Sequence, residues 1–321
     1  MPSFVEERSL AERLKPRMAV EEQFVRTGRK FRSKSFIFRH EDVLITPWLK
    51  LGLRAVRLYS RGLHNATHPV IRRLTLDFAD LPAAFDGFEI LHISDLHIDG
   101  VDGLTEVLVP MLAGLRPDLC VITGDYRFQD EGPCEEVYRR MRPIIGSIRA
   151  KEGVFGILGN HDSAEIAFAL EDMGLRMLVN EAVELHRGHA SIWLSGVDDP
   201  FDFRCDDLTG ALSSVPPDRF KILLAHSPQL FEEASDGGVQ LYLCGHTHAG
   251  QVRFPFIGSL RHNADCPKEY SFGHWKHGNM HGYTSAGTGC SMLPIRFGCP
   301  AELVLIRLRR HAHSGACGNE K

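Results

Sequence analysis

Five short fragments of this sequence carry most of the side chains that could do metal chemistry. In chain order they are Asp95-Leu96-His97, Gly124-Asp125, Gly159-Asn160-His161-Asp162, His226 and Gly245-His246-Thr247-His248. Aspartate, asparagine and histidine give a mixed nitrogen and oxygen ligand set, which suits Mn, Fe or Zn and disfavours Ca. The set predicts a centre with two divalent metal ions, which would bind phosphate esters and make hydroxide at neutral pH.

Each fragment is weak evidence when it is taken alone. Asp-x-His is common by chance, Gly-Asp is usually a turn, and Gly-Asn-His-Asp often begins a capped helix. A lone histidine at a strand end is usually an ordinary polar residue. Gly-His-Thr-His is stronger, because alternating histidines after a buried strand are costly unless they have partners. The ordered set is far more specific than any of its members.

Every fragment follows an apolar run that is typical of a buried strand. Strands are predicted at 71–76, 88–93, 119–123, 154–158, 191–197, 221–225, 239–244, 282–287 and 303–308, and helices at 103–115, 135–149, 163–173 and 228–235. This alternation predicts an α/β fold in which helices cover layers of sheet. The fragments would then lie just past the ends of neighbouring strands, where layered α/β folds place their sites.

Composition limits the class of protein. The chain has 321 residues, of which 43% are hydrophobic, and this is enough for one large core. The formal net charge is −4, so no nucleic-acid partner is expected. No two cysteines are spaced Cys-x-x-Cys, and Cys120 and Cys244 fall in apolar runs, so reduced core cysteines in a cytoplasmic protein are predicted. Neither a transmembrane helix nor a secretory signal is expected from the apolar pattern.

The positive charge is concentrated near the N-terminus. We predict a basic N-terminal arm at 1–70, loose but with helical pieces, a catalytic domain at 71–310 and a C-terminal tail at 311–321. The arm includes a predicted amphipathic helix at about 43–65, in which Lys50, Arg54, Arg57 and Arg61 form one stripe beside a broad apolar face. Such a helix either lies on an anionic membrane surface or packs on the catalytic domain with its basic edge in water.

The ordered motifs resemble the calcineurin-like metallophosphoesterase family over residues 71–310. The resemblance implies a four-layer αββα sandwich of two mixed sheets. It also implies two ligand sets that share Asp125: Asp95, His97, Asp125 and His248 for one metal, and Asp125, Asn160, His226 and His246 for the other. His161 would not be a ligand but would face the scissile phosphate and protonate the leaving alkoxide. Manganese is the metal that the family's habits favour, with iron and zinc as alternatives.

The residues next to the motifs indicate which branch of the family the chain resembles. The segment 124–128 lacks the Asp-Arg-Gly that follows in Ser/Thr protein phosphatases, which argues against a phosphoprotein substrate. The segment 245–251 resembles a bacterial subgroup with Gly-His-Thr-His-Gly-Gly-Gln, whose members include phosphodiesterases and a UDP-diacylglucosamine pyrophosphatase. The favoured function is hydrolysis of a phosphodiester or pyrophosphate by metal-hydroxide attack, in a lipid- or UDP-linked substrate, by a cytoplasmic enzyme peripheral to the inner membrane face. A soluble nucleotide or cyclic-nucleotide phosphodiesterase and a non-catalytic scaffold are the alternatives.

Three further features have two interpretations each. Residues 253–282 are rich in histidine and aromatic residues, and they form either a long loop that walls the substrate cleft or an ordinary surface loop. Arg296 would contact a substrate phosphate or make a structural ion pair. Asp162 would orient a ring or a loop, or it would cap the helix that follows.

Overall fold

The computed structural model describes residues 8–28, 51–52, 54, 57–254, 258–259 and 264–311. Its helices are α1 Leu10–Thr27, α2 Tyr59–Thr67, α3 Leu104–Ala113, α4 Glu135–Ser147, α5 Ala164–Asp172, α6 Leu208–Leu212 and α7 Phe231–Asp236. Its strands are β1 Val70–Phe78, β2 Glu89–Ile93, β3 Leu119–Thr123, β4 Val154–Ile157, β5 Arg176–Met177, β6 Glu181–Arg187, β7 Ala190–Gly196, β8 Lys221–Leu224, β9 Leu241–Cys244, β10 Arg253–Phe254, β11 Gly258–Ser259, β12 Gly273–His277, β13 Met280–Thr284 and β14 Glu302–Arg310.

Two six-stranded mixed sheets form the centre of the molecule. The first has the order β1-β14-β2-β3-β4-β5, and the second has the order β12-β13-β9-β8-β7-β6. In the first sheet β2, β3 and β4 are parallel, and β14 runs antiparallel to β2. In the second sheet β7, β8, β9 and β13 are parallel, and β6 and β12 pair antiparallel at its edges. Both sheets therefore present a row of parallel carboxyl ends.

The apolar side chains fill three layers. Side chains from β2, β3, β4, β8 and β9 fill the space between the two sheets. Helices α1, α3, α4 and α5 cover the outer face of the first sheet. Helices α6 and α7 cover the outer face of the second sheet. This order of helices, sheet, sheet and helices confirms the predicted four-layer αββα sandwich of two mixed sheets.

Strand β3 shows why the central strands are continuous apolar runs. Leu119 and Val121 point into the layer between the sheets. Cys120 and Ile122 point into the layer under the helices. Because successive side chains of a strand lie on opposite faces and both faces are buried here, no position of the strand is left for a polar residue.

The N-terminal segment differs from the expected loose arm. Helix α1 begins with a capping box, in which the hydroxyl of Ser9 accepts from the amide of Glu12 and the carboxylate of Glu12 accepts from the amide of Ser9. Leu10 and Leu14 are buried in the same apolar layer as α3, α4 and α5. The domain boundary at residue 70 stays a prediction, but α1 packs on the layers of the catalytic domain.

Within the described residues, the helix predicted at about 43–65 is interrupted. Residues 43–50, with Lys50, lie outside the described ranges, as do 53, 55 and 56. Arg57 has a left-handed backbone with φ of 58°, and α2 begins only at Tyr59. A left-handed residue breaks the 3.6-residue repeat, so Arg54 and Arg61 cannot belong to one stripe of one helix. Asn65 of α2 donates to the carbonyl of Arg296 over 2.9 Å, so α2 packs on the catalytic domain.

Part of the loop predicted at 253–282 is strand in the described residues. Strands β12 and β13 form a hairpin at the edge of the second sheet, from the pairing of Gly273 with Thr284 to that of His277 with Met280. Trp275 is buried and donates to the hydroxyl of Thr284 over 2.8 Å. His262 lies outside the described residues. Trp275 and Tyr270 therefore belong to the apolar layer on the outer face of the second sheet.

Two sequence expectations concern cysteines and the membrane. The seven cysteines within the described residues are all unpaired, and five of them are buried. Cys317 lies outside those residues. Within the same ranges, the structure holds no helix with the length and apolar character needed to cross a bilayer.

Candidate metal centre

The polar residues of the five fragments meet at the carboxyl ends of the parallel strands. Asp95 and His97 follow β2, Asp125 follows β3, and Asn160 follows β4. On the facing sheet, the predicted ligands His226, His246 and His248 follow β8 and β9. The two sheets stack face to face, so their loops enclose a common space. The seven predicted ligands are all buried, with 0–6% of each residue exposed.

The backbone of the fragments turns sharply to point these side chains inward. Five of the seven predicted ligands have a left-handed backbone, with φ of 49° at Asp95, 38° at His97, 56° at Asp125, 68° at His246 and 50° at His248. Each such non-glycine residue costs on the order of 1–3 kcal/mol and persists where the surroundings hold it. The amide of Asp95 donates to the carbonyl of Gly124 and the amide of His97 to that of Asp125, each over 3.0 Å.

A first group of donors consists of Asp95, His97 and His248. Nε2 of His97 lies 3.1 Å from Nε2 of His248. Nε2 of His248 lies 3.4 Å from Oδ1 of Asp95. Three donor atoms at these separations can surround one cation.

A second group joins Asp125, Asn160, His226 and His246. Nε2 of His226 lies 3.0 Å from Oδ1 of Asn160, and Nδ1 of His246 lies 2.8 Å from the same oxygen. Nε2 of His226 is also 3.3 Å from Oδ2 of Asp125. The amide oxygen and the two ring nitrogens therefore converge next to the carboxylate.

Asp125 lies between the two groups. Its Oδ2 is 3.5 Å from Nε2 of His97 in the first group and 3.3 Å from Nε2 of His226 in the second. Its Oδ1 accepts from the backbone amide of His161 over 2.9 Å, which fixes the plane of the carboxylate. One oxygen of this side chain thus faces both groups.

Backbone carbonyls orient two of the histidine rings. Nδ1 of His97 donates to the carbonyl of Arg127 over 2.7 Å, and Nδ1 of His226 donates to that of Thr123 over 2.7 Å. Each ring then presents Nε2 to the centre. When the ring is neutral, this Nε2 carries a lone pair. Metal-binding histidines ordinarily have such a carbonyl or carboxylate partner on the other nitrogen.

Two of the oxygen donors are held by side chains. The hydroxyl of Ser94 donates to Oδ2 of Asp95 over 2.6 Å. Nδ2 of Asn160 donates to Oδ2 of Asp202 over 3.1 Å, so that the oxygen of Asn160 faces the second group. These contacts orient the oxygens towards the centre.

Burial and mutual charge decide the protonation of these groups. Burial lowers the pKa of His97 to about 4 and raises that of Asp95 to about 6. Burial acts against the charged form of His226, but Asp125 and Asp95 outweigh it and raise the pKa of this ring to about 10. Burial likewise acts to raise the pKa of Asp125, yet His226 and His161 hold it well below its ordinary value. A cation that binds at His226 must therefore displace a proton.

His161 lies at the edge of the centre. Its Nε2 is 4.0 Å from Oδ2 of Asp125, and its ring is partly exposed. Its Nδ1 is 2.8 Å from the carbonyl of Phe128 and 2.8 Å from Oδ1 of Asp130. These two acceptors fix the ring with Nε2 towards the space beside the two groups.

Asp162 ties two of the ligand loops together. Its Oδ2 accepts from the amides of Asp125 and Gly159, each over 2.8 Å, and its Oδ1 accepts from the amide of Tyr126 over 2.9 Å. The N-cap position of α5 belongs to Ser163, so Asp162 is not the helix cap. Of the two interpretations, the one in which Asp162 orients a loop is the one the structure shows.

Arg296 does not reach a substrate. It has no solvent exposure, and its Nη2 donates to the carbonyls of Ala286 and Gly289 over 2.7 and 2.6 Å. The same Nη2 lies 3.3 Å from Nδ1 of His248. Arg296 thus braces the loop behind His248, and this bracing replaces both interpretations made from the sequence.

Three polar residues near the centre were not identified from the sequence. Asp130 contacts His161, and Asp202 contacts Asn160. Both aspartates lie in loops, where no sequence pattern distinguishes them. Arg17 lies on α1, where its guanidinium donates to the carbonyls of Gly159 and Asp162. A signal did exist for Arg17, because Leu10, Leu14 and Arg17 fall at i, i+4 and i+7 on one helical face.

The donor set fits a pair of divalent cations. Four buried imidazoles, two carboxylates and one amide oxygen converge in a space where uncompensated polar groups would be costly. Divalent cations with mixed nitrogen and oxygen ligands satisfy such a set. Fold and site together define a layered α/β protein with a candidate metal centre at the carboxyl ends of its strands.

Comparison with known proteins gives the family. The model of the calcineurin-like phosphoesterase family matches residues 88–250, which is about half of the chain. An uncharacterized metallophosphoesterase of Bacillus subtilis, YkuE, is 30% identical over 243 residues, which cover 73% of this chain and 84% of that protein. The phosphodiesterase YaeI of Escherichia coli is 27% identical over 230 residues, which cover 69% and 82%. A transmembrane protein with metallophosphoesterase domain from Bos taurus is 30% identical over 271 residues, which cover 77% and 59%.

The chain belongs to the calcineurin-like phosphoesterase family. It is accordingly a metal-dependent phosphoester hydrolase, and its substrate is a phosphate ester. The alternative of a non-catalytic scaffold is therefore set aside.

Proposed function

We propose that the protein is a dinuclear phosphodiesterase in which Asp125 would be a ligand to both metal ions. The observation that carries the proposal is the position of Oδ2 of Asp125, within 3.5 Å of His97 on one side and 3.3 Å of His226 on the other. One cation would be held by Asp95, His97, Asp125 and His248. The other would be held by Asp125, Asn160, His226 and His246.

Charge balance favours a diester over a dianionic monoester. Two divalent cations contribute four positive charges, and Asp95 and Asp125 contribute two negative charges. One hydroxide and one monoanionic diester then balance the remaining two. When bound, the cations supply Lewis acidity and lower the pKa of water towards neutrality. The name of the relative YaeI as a phosphodiesterase agrees with this substrate class.

His161 is proposed to act as the general acid. Its Nε2 faces the space beside both groups, while Nδ1 is held by the carbonyl of Phe128 and the carboxylate of Asp130. A ring fixed in this way can stabilise negative charge on the phosphoryl oxygens and transfer a proton from Nε2 to the leaving alkoxide. Asp130 would keep the ring in this orientation through the reaction.

The finer proposal for the substrate is a phosphodiester or pyrophosphate in a lipid- or UDP-linked molecule, cleaved by a cytoplasmic enzyme at an anionic membrane surface. Its support is the exposure of Leu51 and Leu58, at 57% and 40%, next to Arg54 and Arg57 in the sequence. Apolar and basic side chains together favour a lipid surface. A soluble nucleotide phosphodiesterase would use the same centre and is the alternative that the substrate experiment tests.

Removal of the bridge tests the dinuclear centre. The metal-free protein is reconstituted with manganese, iron or zinc, and bound metal is counted by elemental analysis. We expect two ions per chain in the wild type and loss of turnover of bis-p-nitrophenyl phosphate in Asp125→Asn, with weaker metal loading. Asp218→Asn is the control, because Asp218 is an exposed residue before the amino end of β8. A wild type that binds a single ion at saturation would contradict the proposal.

A substrate panel and a vesicle assay test the finer proposal. The panel contains UDP-linked lipids, nucleotide pyrophosphates, cyclic nucleotides and simple diesters, each assayed with manganese, iron and zinc. We expect the highest kcat/KM for a lipid- or UDP-linked substrate and co-sedimentation with anionic vesicles at low salt. A preference for cyclic nucleotides would favour the soluble alternative, and absence of vesicle binding would remove the membrane part.

A further inference from the structure

We propose that Arg17, on the N-terminal helix α1, is a positioning residue for the loop that carries Asn160 and His161. The proposal deepens the function proposed above and rests on it for the roles of those two residues. It makes the N-terminal helix a working part of the centre, although α1 contributes no predicted ligand.

The guanidinium of Arg17 holds both ends of the loop. Its Nη2 donates to the carbonyl of Gly159 over 2.6 Å and to the carbonyl of Asp162 over 2.5 Å. These two residues flank Asn160 and His161 directly. Arg17 has no solvent exposure, so water does not compete for these hydrogen bonds. The two hydrogen bonds fix the distance between the two carbonyls. They thereby also fix the backbone conformation of the two residues between them.

The same guanidinium holds a second loop, the one that follows β7. Its Nη1 pairs with the carboxylate of Asp198, and its Cζ lies over the ring of Phe203, 3.7 Å from the ring centroid. Asp202 of this loop accepts from Nδ2 of Asn160 over 3.1 Å. Asn160 is thus supported through the carbonyls of Gly159 and Asp162 on either side of residues 160–161 and through its own side-chain amide, and both supports lead to Arg17.

Helix α1 is itself fixed at several points around Arg17. Arg13 pairs with Glu181 at the start of β6 over 2.9 Å. Glu21 accepts from the amide of Ala164, at the first turn of α5, over 2.7 Å. Phe24 contacts the ring of Phe203 at a centroid distance of 5.3 Å. These contacts fix the rotation of α1 about its axis and its position along that axis. The side chain of Arg17 therefore reaches the loop at 159–162.

Only arginine can make this set of contacts. Its planar fork donates to two carbonyls from one nitrogen and to a carboxylate from the other, and its face stacks on an aromatic ring. The ammonium of lysine is a single point of charge and cannot span these acceptors from one position. Replacement by lysine therefore keeps the positive charge but loses the planar arrangement of donors. This variant separates the effect of the charge from the effect of the hydrogen-bond geometry.

The test compares Arg17→Lys and Arg17→Met with the wild type and with Arg26→Met. Arg26 lies on the same helix, but it is exposed and pairs with exposed Glu22. The first readout is hydrogen exchange of the metal-free full chain over residues 159–162, where the amides of Gly159 and His161 are hydrogen-bonded to carboxylates. The second readouts are the dissociation constant of the weaker manganese ion and kcat.

For Arg17→Lys we expect exchange at 159–162 to become about tenfold faster and the weaker manganese site to lose about tenfold in affinity, as is typical when a partner that orients a ligand is removed. We expect kcat to fall by a similar factor, KM to change by less, and exchange in β8 to stay as in the wild type. Arg17→Met should show the larger effects, and Arg26→Met should behave as the wild type does.

Exchange and manganese affinity of Arg17→Lys that match the wild type would overturn the proposal. Should neither Arg17 variant fold, Asp198→Asn decides, because it keeps the guanidinium but removes its anionic partner. Faster exchange at 159–162 in that variant supports the proposal, and unchanged exchange overturns it. A wild type that binds one ion would instead refute the dinuclear function, while the exchange of the metal-free chain still reports on Arg17.

Discussion

Nε2 of His97 lies 3.1 Å from Nε2 of His248, although the two residues follow strands of different sheets. His97 comes after β2 in the first sheet and His248 after β9 in the second. Their rings are stacked with centroids 5.0 Å apart. The contact shows that the centre is built across the junction of the two sheets, so any change in how the sheets pack changes the site.

Replacement of His161 by alanine should separate metal binding from turnover. His161 lies beside the two groups and is not one of the seven proposed ligands. We expect His161→Ala to retain both metal ions and to lose about 100-fold or more in kcat, which is the range of general acid catalysis. Elemental analysis and steady-state kinetics measure the two effects. A variant purified without metal would show that the proposed role of His161 is wrong.

Replacement of Asp162 by asparagine should destabilise the fold. Its carboxylate accepts from the amides of Asp125, Tyr126 and Gly159, and an asparagine amide group would bring a donor against these donors. An unsatisfied buried donor costs about 1–3 kcal/mol, and the new amide group and at least one backbone amide would both lack an acceptor, so we expect a loss of roughly 2–4 kcal/mol in urea unfolding.

Asp207→Asn is the matched control for this change. Asp207 caps α6 by accepting from the amide of Gly210 over 2.8 Å. Asparagine is an equally good N-cap, so we expect little change in stability. Equal stability of Asp162→Asn and the wild type would contradict the role given to Asp162.

A methyl group at position 245 should disturb the first metal group. A Cβ at Gly245 would overlap Oγ of Ser94 and Oδ2 of Asp95. One of these side chains must move, and we expect Gly245→Ala to lose about 1–3 kcal/mol of stability and to bind metal more weakly. Thermal unfolding with and without manganese measures both effects.

The control for this substitution is Gly146→Ala in α4. A Cβ at Gly146 meets nothing within 4 Å. Alanine in a helix is favoured over glycine by roughly 0.5–1 kcal/mol, so this variant should be as stable as the wild type or slightly more stable. If both variants behaved alike, the close approach of residues 94 and 95 to Gly245 would be in doubt.

Stability in acid should depend on Asp118, far from the metal centre. Burial opposes its ionised form, but the amide of Glu89 and the side chains of Lys151 and Arg187 outweigh burial and lower its pKa below 3.8. Because the pKa is lower in the folded state, the contribution of Asp118 is present above about pH 4 and is lost as pH falls through the lowered value.

Urea unfolding of Asp118→Asn as a function of pH tests this assignment. At pH 7 we expect the variant to be less stable than the wild type by about 1–3 kcal/mol, which is typical for hydrogen bonds to a charged group. The difference should shrink as pH falls below about 4, where the wild-type carboxylate is also protonated. The kcat should not change, because Asp118 lies at the opposite end of β3 from Asp125. A difference that stayed constant down to pH 2 would contradict the assignment.

The central strands and most helices could be predicted because their patterns are local. The run at 119–123 is apolar on both faces, and only a strand between two packed layers requires that pattern. Strand β6 was missed, because it is an edge strand with half-exposed, mixed side chains and therefore lacks the pattern. The stripe of basic residues at 50–61 suggested one continuous helix. A periodic pattern does not reveal the left-handed backbone at Arg57, which interrupts that helix.

The sequence by itself determined the types of the donor groups, their order and their place after apolar strands, because these depend on local chemistry and a short-range pattern. Only the tertiary structure decided which atoms meet. The distances between His97 and His248, between Asn160 and Asp202, and between Arg17 and Gly159 join residues 151, 42 and 142 positions apart. Contacts of that span depend on how two sheets and a terminal helix pack, and no local pattern in the chain encodes them.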